Sequence, residues 1–422
     1  MAVLDVPQFG CIIDFTNGAS FISTAFRLDD PIKGKLGTGQ LADSDDAADI
    51  SDAAIACSIR RGRNRILDKF EAGTAIVTLR DDNGDFNPSN STGKYYGKLL
   101  PLRKIQIFAD FQGTRYPLFY GFITSYTTQF TKGVDDYSKV VLQCVDGFRL
   151  LNNQVFTTLS GAAAGDRTGA RITQLLDQSG WTTTARSIDT GDTTVQADSG
   201  DANRGYLDAL QLIGDKTEFG GLYIDKVGNI NFLSRTTLSN RAAQPSTTYA
   251  DDGTGIGYQG IELQHDDILV VNDVSVQKLG GTVQNVTDQT SIDTYFKHSG
   301  QRLGIPLQTD AEALSQAQML LATRKDATLR ISSLNLNLFD PDSPDRVVAG
   351  LKSEIFDSIA VTKAMPGTTS ITKTLFVQGV NHDMTKRSFD TRLVTAEPVI
   401  KAFILDSPTA GVLGGTEGLL SY

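Results

Sequence analysis

The chain has 422 residues, with 49 acidic against 39 basic side chains and a formal net charge of −10. This length suffices for roughly two to four domains, because single hydrophobic cores stop growing beyond about 250 to 300 residues. The acidic balance excludes a general electrostatic attraction to nucleic acid or to an anionic membrane surface.

The cysteines and the N-terminal segment indicate no disulfide framework, zinc site or export signal. Cys11, Cys57 and Cys144 are far apart and form no Cys-x-x-Cys pair, so we expect small buried hydrophobes in a reducing compartment. The N-terminal segment has no basic region and carries Asp5 within its apolar stretch. No apolar run is close to the length of about 20 residues that a membrane-spanning helix needs, so we expect no stable membrane insertion.

The first part of the chain, residues 1–152, is predicted to be a β-rich domain. Period-2 alternation of apolar residues dominates residues 55–150, and a hairpin is predicted at 112–114. Pro117 predicts an edge or a bulge in the strand that follows. The predicted buried strand faces are Ala75, Val77 and Leu79; Ile105, Ile107, Ala109 and Phe111; and Val140, Leu142 and Cys144.

The stretch "LRDDNGDFNP", residues 79–88, is open to two interpretations. Asp81, Asn83 and Asp85 alternate as oxygen ligands do in a calcium loop, but Gly84 then falls at position 4 and Thr92 at position 12. An EF-hand loop needs Gly at position 6 and Glu at position 12. The alternative is a hard turn that ends a strand, since Asn-Gly is a strong turn signal and Pro88 prevents further pairing.

Residues 153–243 are predicted to form a small α/β domain. Apolar residues recur at helical spacing in "TGARITQLLDQSGW" (168–181), where Gly180 marks the expected stop. A second helix is predicted over about 203–218 and a hairpin over 220–235. The domain is therefore expected to contain two helices and a hairpin.

Residues 244–405 are predicted to be a second β-rich domain with one inserted helix, 309–325. Thr309 and Glu312 form a capping box ahead of an apolar stripe. Strands are predicted at "LRISSLNLNLF", "DSIAVTKA", "KTLFVQGVNHDM" and "DTRLVTAEP". Residues 406–422 are Gly-rich and are predicted to be an arm.

The sequence "GTGIGYQG" contains G-x-G-x-x-G at Gly255, Gly257 and Gly260. A dinucleotide site needs a strand before this motif and a helix N-terminus after it. Here a polar stretch precedes the motif and a strand-like alternation follows, so a Gly-rich connection into a strand is the favoured interpretation.

The remaining chemistry-bearing residues show no catalytic or ligand-binding pattern. None of His265, His298 and His382 has a metal-ligand partner at i+4 or a nearby His or Cys. His265 beside Asp266 and Asp267, and His382 beside Asp383, could be weak ion sites or proton carriers, but solvated loop positions are favoured. Nucleophile-elbow, zinc-protease and P-loop motifs are absent. The aromatic residues Trp181, "KYYGKLL" and "RYPLFYGF" could form a sugar-stacking surface, although core or interface positions are favoured. We therefore expect no enzyme activity, no catalytic, cofactor-binding or metal-binding residues, and no cofactor.

Several ordered segments resemble the minor tail proteins of long-tailed phages of actinobacteria. They are residues 60–126, beginning "RRGRNRILDKFEAGTAIVTLRDDNGDFNP", and then "RITQLLDQSGW", "DALQLIGDKTEFGGLYIDKVGNINFLSR", "EALSQAQMLLATRKDATLRISSLNLNL" and "LFVQGVNHDMTKRSFDTRLVTAEP". Those proteins form the hub of the tail tip and are similar to the trimeric hub of contractile-tail baseplates.

The resemblance implies an α+β, mainly β chain, with two β-barrel-like tail-tube domains and an intervening small α/β domain. It implies a homotrimer that closes the tail tube, contacts the distal tail protein ring, the tape measure protein and tip or fibre proteins, and opens for DNA in transit. Such a protein is assembled in the host bacterial cytoplasm and resides in the virion. The short Gly-rich end departs from hub relatives that carry a fused lytic domain.

Two other hypotheses remain open on the sequence. One is a glycan-binding or depolymerising tip protein that acts on the host envelope, which would need a concave cluster of aromatic and carboxylate side chains. The other is a different tail position, such as the hexameric distal ring.

Overall fold

A computed structural model describes residues 6–15, 18–19, 47–63, 70–130, 138–198, 200, 203–367 and 369–398. The predicted arm, 406–422, lies outside the described residues. Of the described helices, none is long and apolar enough to cross a membrane. The fold is α+β and mainly β, as predicted.

The N-terminal part forms a series of antiparallel strands in the order β3-β4-β7-β6-β5-β1-β2. The predicted strand faces are confirmed, since each of the residues named for them is buried. The register shifts opposite Pro117, which confirms a bulge at this position. The strands are β1 (Gln8–Asp14), β2 (Ala47–Asp49), β3 (Ala54–Gly62), β4 (Thr74–Asp81), β5 (Arg103–Phe111), β6 (Thr114–Phe130) and β7 (Ser138–Val145).

This first series curls back on itself. A short turn joins β2 at one end of the series to β3 at the other, and in this turn the Ile50 amide donates to the Cys11 carbonyl at 2.9 Å. Cys11, Cys57 and Cys144 lie in one core although their strands are not neighbours in the sheet. Burial, with smaller contributions from the other two thiols, raises the pKa of Cys57.

A small α/β unit follows, built around its own core. The helix predicted over 168–181 is confirmed, and Gly180 follows its C-terminus with φ +78°. The elements are α1 (Phe148–Asn152), β8 (Val155–Phe156), β9 (Asp166–Arg167), α2 (Thr168–Gln178), β10 (Arg186–Ile188), β11 (Thr194–Val195), β12 (Arg204–Gly205), α3 (Tyr206–Gln211), β13 (Gly221–Ile224), β14 (Ile230–Leu233) and α4 (Arg235–Ala243).

The second predicted helix of this unit begins at Tyr206 and continues from Leu212 to Thr217 as a π-helix. The hydroxyl of Thr217 donates to the Leu212 carbonyl, five residues back, at 2.8 Å. The predicted hairpin is also confirmed, with β13 and β14 antiparallel around Gly228.

The rest of the chain adds strands to the large sheet and inserts a separate unit between them. The inserted unit is a three-stranded sheet covered by α6, which carries the predicted Thr309–Glu312 capping box. The elements are β15 (Thr247–Ala250), β16 (Gly260–Gln264), β17 (Asp273–Lys278), β18 (Val283–Thr287), α5 (Gln289–Tyr295), β19 (Ser299–Ile305), α6 (Asp310–Arg324), β20 (Arg330–Asn337), α7 (Pro344–Lys352), β21 (Ser358–Lys363), β22 (Ile371–Thr385) and β23 (Ser388–Ala396).

The C-terminal strands form a second series in the order β16-β20-β23-β22-β21-β15. Its ends are also drawn together, because Ile256 bridges to Tyr249 on one edge while the Gln259 amide donates to the Asn335 carbonyl on the other. The long strand β22 pairs with β21 through its first half and with β3 through its second half. The two series thus share one 13-stranded sheet. The domain boundaries at 152, 243 and 405 stay predictions.

Candidate functional site

The candidate calcium loop after β4 is a turn whose carboxylates are occupied by backbone amides. Asp81 accepts from the amides of Asp85 at 2.7 Å and Phe86 at 3.2 Å, and Asp85 accepts from the Lys94 amide at 2.9 Å. Burial raises the pKa of Asp81, which disfavours the ionised form that a cation would bind. Gly84 has φ +68°, a conformation that glycine adopts without strain. The geometry supports the interpretation as a turn.

The segment beyond this turn closes one end of the first strand series. Phe86, Tyr95 and Leu99 are buried in its core, and the Tyr95 ring lies 4.9 Å from Phe15 and 5.0 Å from Phe86, centroid to centroid. The side chain of Asn90 donates to the Gly84 carbonyl at 3.0 Å. The segment is therefore part of the packed structure.

Gly255 and Gly257 lie in the connection between β15 and β16, and Gly260 begins β16, so the predicted Gly-rich connection into a strand is confirmed. Gly255 and Gly257 border a surface groove of about 730 Å³ that also includes the first turn of α7. The guanidinium of Arg346, on that turn, donates to the Gly257 carbonyl at 2.7 Å and to the Asp340 carboxylate at 2.9 Å. No helix starts directly after the glycines, so the geometry of a dinucleotide site is not formed.

The three histidines differ in environment. His265 is exposed, whereas His298 is half-buried with Nε2 3.0 Å from the Tyr295 carbonyl. The predicted solvated loop position is wrong for His382, which lies on β22 and is buried, with Nδ1 2.8 Å from the hydroxyl of Thr391. Burial, with Arg61 and Lys226 nearby, lowers the pKa of His382 to about 3. Residues 375–382 of β22 are all buried, and β22 lies between β23 and β3, so this imidazole is inside the fold and stays neutral.

The aromatic segments are largely interior. Trp181 is buried and its indole N–H donates to the Ala185 carbonyl at 2.9 Å, while Phe119 and Phe122 are buried as well. From "KYYGKLL", Tyr96 is exposed. The core interpretation of Trp181 is therefore confirmed, and these segments form no continuous stacking surface. Within the part of the chain that the structure describes, no group of three or more His, Cys, Asp or Glu side chains could hold a metal ion.

A buried ion pair that sequence reasoning did not find joins three parts of the fold. Arg61 on β3 is buried, forms an ion pair with Glu354, and donates to the Ile224 carbonyl at 3.2 Å. Glu354 also accepts from the backbone amides of Lys226 at 3.1 Å and Ile355 at 2.8 Å. The pair therefore connects the first strand series, the small α/β unit and the segment between α7 and β21.

Exposed large apolar side chains mark the candidate assembly surfaces. Leu279, Val283 and Leu303 lie on the inserted unit, and Phe296 of the same unit is 86% exposed. Such residues on a surface are typical of contact with another chain when they are contiguous.

This fold is similar to that of two solved tail proteins, one of them from a prophage. The tail protein from Neisseria meningitidis MC58 matches with a TM-score of 0.53 and 12% identity, over 93% of this chain and 96% of that one. The 43 kDa tail protein of prophage MuSo2 from Shewanella oneidensis matches with a TM-score of 0.52 and 11% identity, over 83% of this chain and 94% of that one. At these identities the likeness shows the fold.

Two sequence comparisons found nothing: no protein-family model and no curated protein sequence matches the chain. A further structural match, to the E. coli c3393 protein, a component of the type VI secretion system, has a TM-score of 0.43 and 8% identity, over 82% of this chain and 73% of that one.

Proposed function

We propose that the chain is a structural subunit of a bacteriophage tail and forms the hub of the tail tip. The observation that carries this proposal is the fold likeness to two tail proteins, one of them from a prophage, over 93% and 83% of the chain. The phage type that the sequence resemblance implies is a long-tailed phage of actinobacteria. The protein acts as a virion component and not as an enzyme.

The arrangement of the strands supports a homotrimer. Each chain contributes two curled strand series in one sheet. Three copies would supply six such series, which is the number needed to continue a hexameric tail tube. The distal tail protein ring lies above this trimer, the tape measure protein reaches it through the tube, and tip or fibre proteins attach below.

The charge of the chain supports passage of DNA without retention. Each copy carries a formal net charge of −10, so a conduit lined by three copies repels phosphate and lets DNA slide during ejection. A strongly basic lumen in the assembled ring would contradict this part of the proposal.

Light scattering coupled to size-exclusion chromatography tests the trimer. We expect a mass about three times the chain mass of 45.5 kDa. A monomer at high concentration would contradict the proposal, and a hexamer would favour the distal ring. Labelling of intact particles with an antibody against the chain tests the position, and label along the tube or on the head would exclude the tip.

A further inference from the structure

The inserted unit has one covered and one open sheet face. Helix α6 packs on one face through Ala313 and Ala317, against Val274, Val276 and Ile305. Strand β17 lies in the middle, antiparallel to β18 and parallel to β19. In the described part of the chain, β18 and β19 pair with no strand other than β17. Directly after β19, Leu307 bridges to Val195 and the Pro306 carbonyl accepts from the Gln196 amide at 3.0 Å, so the free part of this edge is residues 299–304. The sheet therefore has two edges without a partner strand and one face that α6 does not cover.

One end of the free face is apolar. Val283 is the partner of Gln277, and Leu303 lies opposite Gln277 where the register shifts, so the three residues form a row across the sheet. Leu279 lies further along the same strand, two residues after Gln277. The exposed fractions are 52% for Val283, 54% for Leu303 and 46% for Leu279. Each edge of the sheet therefore carries one exposed apolar side chain, on either side of Gln277.

Neither free edge carries the charges that prevent strand pairing. Strand β18, "VQNVT", has no charged residue and no proline. The only charge on β19 is Arg302, which turns inward over the Phe219 ring at 4.2 Å and donates to the Lys216 carbonyl at 3.2 Å. Proteins usually block free edges with charged residues, proline or bulges, because unpaired backbone groups are a template for another strand. On these two edges, the register shift between β17 and β19 is the one feature of this kind.

A second copy of this chain fits these edges. Two copies that each carry a net charge of −10 repel one another, so an uncharged strip is where they approach at least electrostatic cost. The two edges lie on opposite sides of β17, and an edge-to-edge contact between them is head-to-tail. Head-to-tail contacts close into rings when the rotation between copies allows it.

We infer that β18 of one copy pairs with β19 of the next, and that Val283 and Leu303 meet across this junction. Because β18 and β19 run in opposite directions in the sheet, the junction is antiparallel in a ring. The inference rests on the proposed homotrimer and assigns one of its interfaces. Five residues of strand make a short pairing, so the junction adds to the contacts between the strand series.

Charged residues placed on the edges test the junction. Val283→Lys and Leu303→Lys should each weaken association of the full chain by about tenfold or more, measured by sedimentation velocity over a concentration series. Both side chains are exposed, so the thermal unfolding of the diluted monomer should not change. Val155→Lys is the matched control, because Val155 is 65% exposed and lies on the small α/β unit.

The outcomes separate this inference from the proposed function. If the wild type is trimeric and both lysine variants remain equally trimeric, the junction is wrong and the trimer stands. If the wild type is monomeric at every concentration, the trimer is wrong and the junction with it.

Cysteine cross-linking tests which edges meet. Val283→Cys and Leu303→Cys are mixed under mild oxidation, with the native thiols protected by burial. Disulfide-linked dimers that need both variants support the head-to-tail junction. Dimers formed by Val283→Cys alone would instead show β18 pairing with itself and overturn the inference. An absence of cross-links within an intact trimer would also overturn it.

Discussion

At the scale of single residues, Phe296 has a backbone conformation that is costly for any side chain. Its φ is 68° and its ψ is 173°, a region populated almost entirely by glycine. The carbonyl of Phe296 accepts from the buried side chain of Asn272 at 2.7 Å, and the same side chain accepts from the His298 amide at 2.7 Å. Asn272 therefore holds the loop in this conformation.

We expect Phe296→Gly to raise the free energy of unfolding by about 1 kcal/mol, because glycine removes the backbone strain and the lost ring is almost fully exposed. Urea denaturation measures the change. Phe296→Ala is the control, since alanine removes the ring and keeps the strain. An equal gain in both variants would show that the ring, and not the backbone, is unfavourable.

Asp215 is a carboxylate in an environment that favours its protonated form. Its Oδ1 atom is out of contact with solvent and accepts no hydrogen bond among the described residues. Burial raises the pKa of Asp215 to about 7, against the opposing effects of Arg63 and Arg302. In the unfolded chain the pKa of an Asp is about 3.9.

The folded state therefore retains a proton on Asp215 that the unfolded state has lost, and stability falls as pH rises from about 4 to about 7. We expect Asp215→Asn to remove this dependence, so that the variant gains more over wild type at pH 8 than at pH 5 in urea denaturation.

Asp146 is the matched control. Burial also raises the pKa of Asp146 to about 7, but both of its carboxylate oxygens accept hydrogen bonds from backbone amides, those of Gly73 and Phe148. Asp146→Asn loses one acceptor and should destabilise the fold.

If the stability difference between Asp215→Asn and wild type is the same at pH 5 and at pH 8, the raised pKa of Asp215 is contradicted.

At the scale of elements, α6 begins with the capping box predicted from its sequence. The Thr309 hydroxyl accepts from the Glu312 amide at 3.2 Å, and the Glu312 carboxylate accepts from the Thr309 amide at 2.9 Å. Glu312 also accepts from the hydroxyl of Thr194 at 2.9 Å, so the cap contacts the small α/β unit.

Thr309→Ala should destabilise α6 by about 1 kcal/mol, because it leaves amides at the helix start without a partner. Hydrogen exchange of the α6 amides is the measurement, since opening of the inserted unit need not unfold the large sheet. Thr323→Ala, a threonine in the interior of the same helix, should have little effect or a favourable one. Equal protection in the two variants would contradict the capping role.

Elements with a strong local pattern were predictable, and elements defined by long-range contacts were not. The strands around Val77, Ile107 and Leu142 alternate clearly, and α2 has both its apolar stripe and its glycine stop. The π-helix had no such signal, and it has a distant partner, because the Gln316 side chain donates to the Thr217 carbonyl at 2.6 Å. Helix α7 was not predicted although it carries local signals, with Pro344 at its start and Val347 and Leu351 four residues apart.

At the scale of the whole molecule, the Arg61–Glu354 pair holds three regions together. Removing one partner of a buried ion pair leaves the other charge uncompensated, which costs about 3 to 5 kcal/mol. We expect Glu354→Gln to lower the free energy of unfolding by about this amount in urea denaturation. The double variant Arg61→Met with Glu354→Gln should recover part of the loss. No recovery would show that Glu354 acts through its backbone-amide contacts alone.

For the candidate site, the sequence mainly predicted which kinds of site are not formed. The misplaced ligands around Asp81 and the missing helix after Gly260 were visible in the sequence. The interior position of His382, the Arg61–Glu354 pair and the exposed positions of Val283 and Leu303 on the two sheet edges were not, since each depends on residues apart in the chain.

The sequence by itself determined the mainly β composition, most strands, the helices α2 and α6, and the turn at Gly84, because period, caps and turn chemistry act within a few residues. Only the tertiary structure decided that β3 pairs with β22, so that the two strand series share one sheet. It also decided which edges remain free. Strand partners are chosen by burial and backbone pairing across long loops, and a local pattern does not encode that choice.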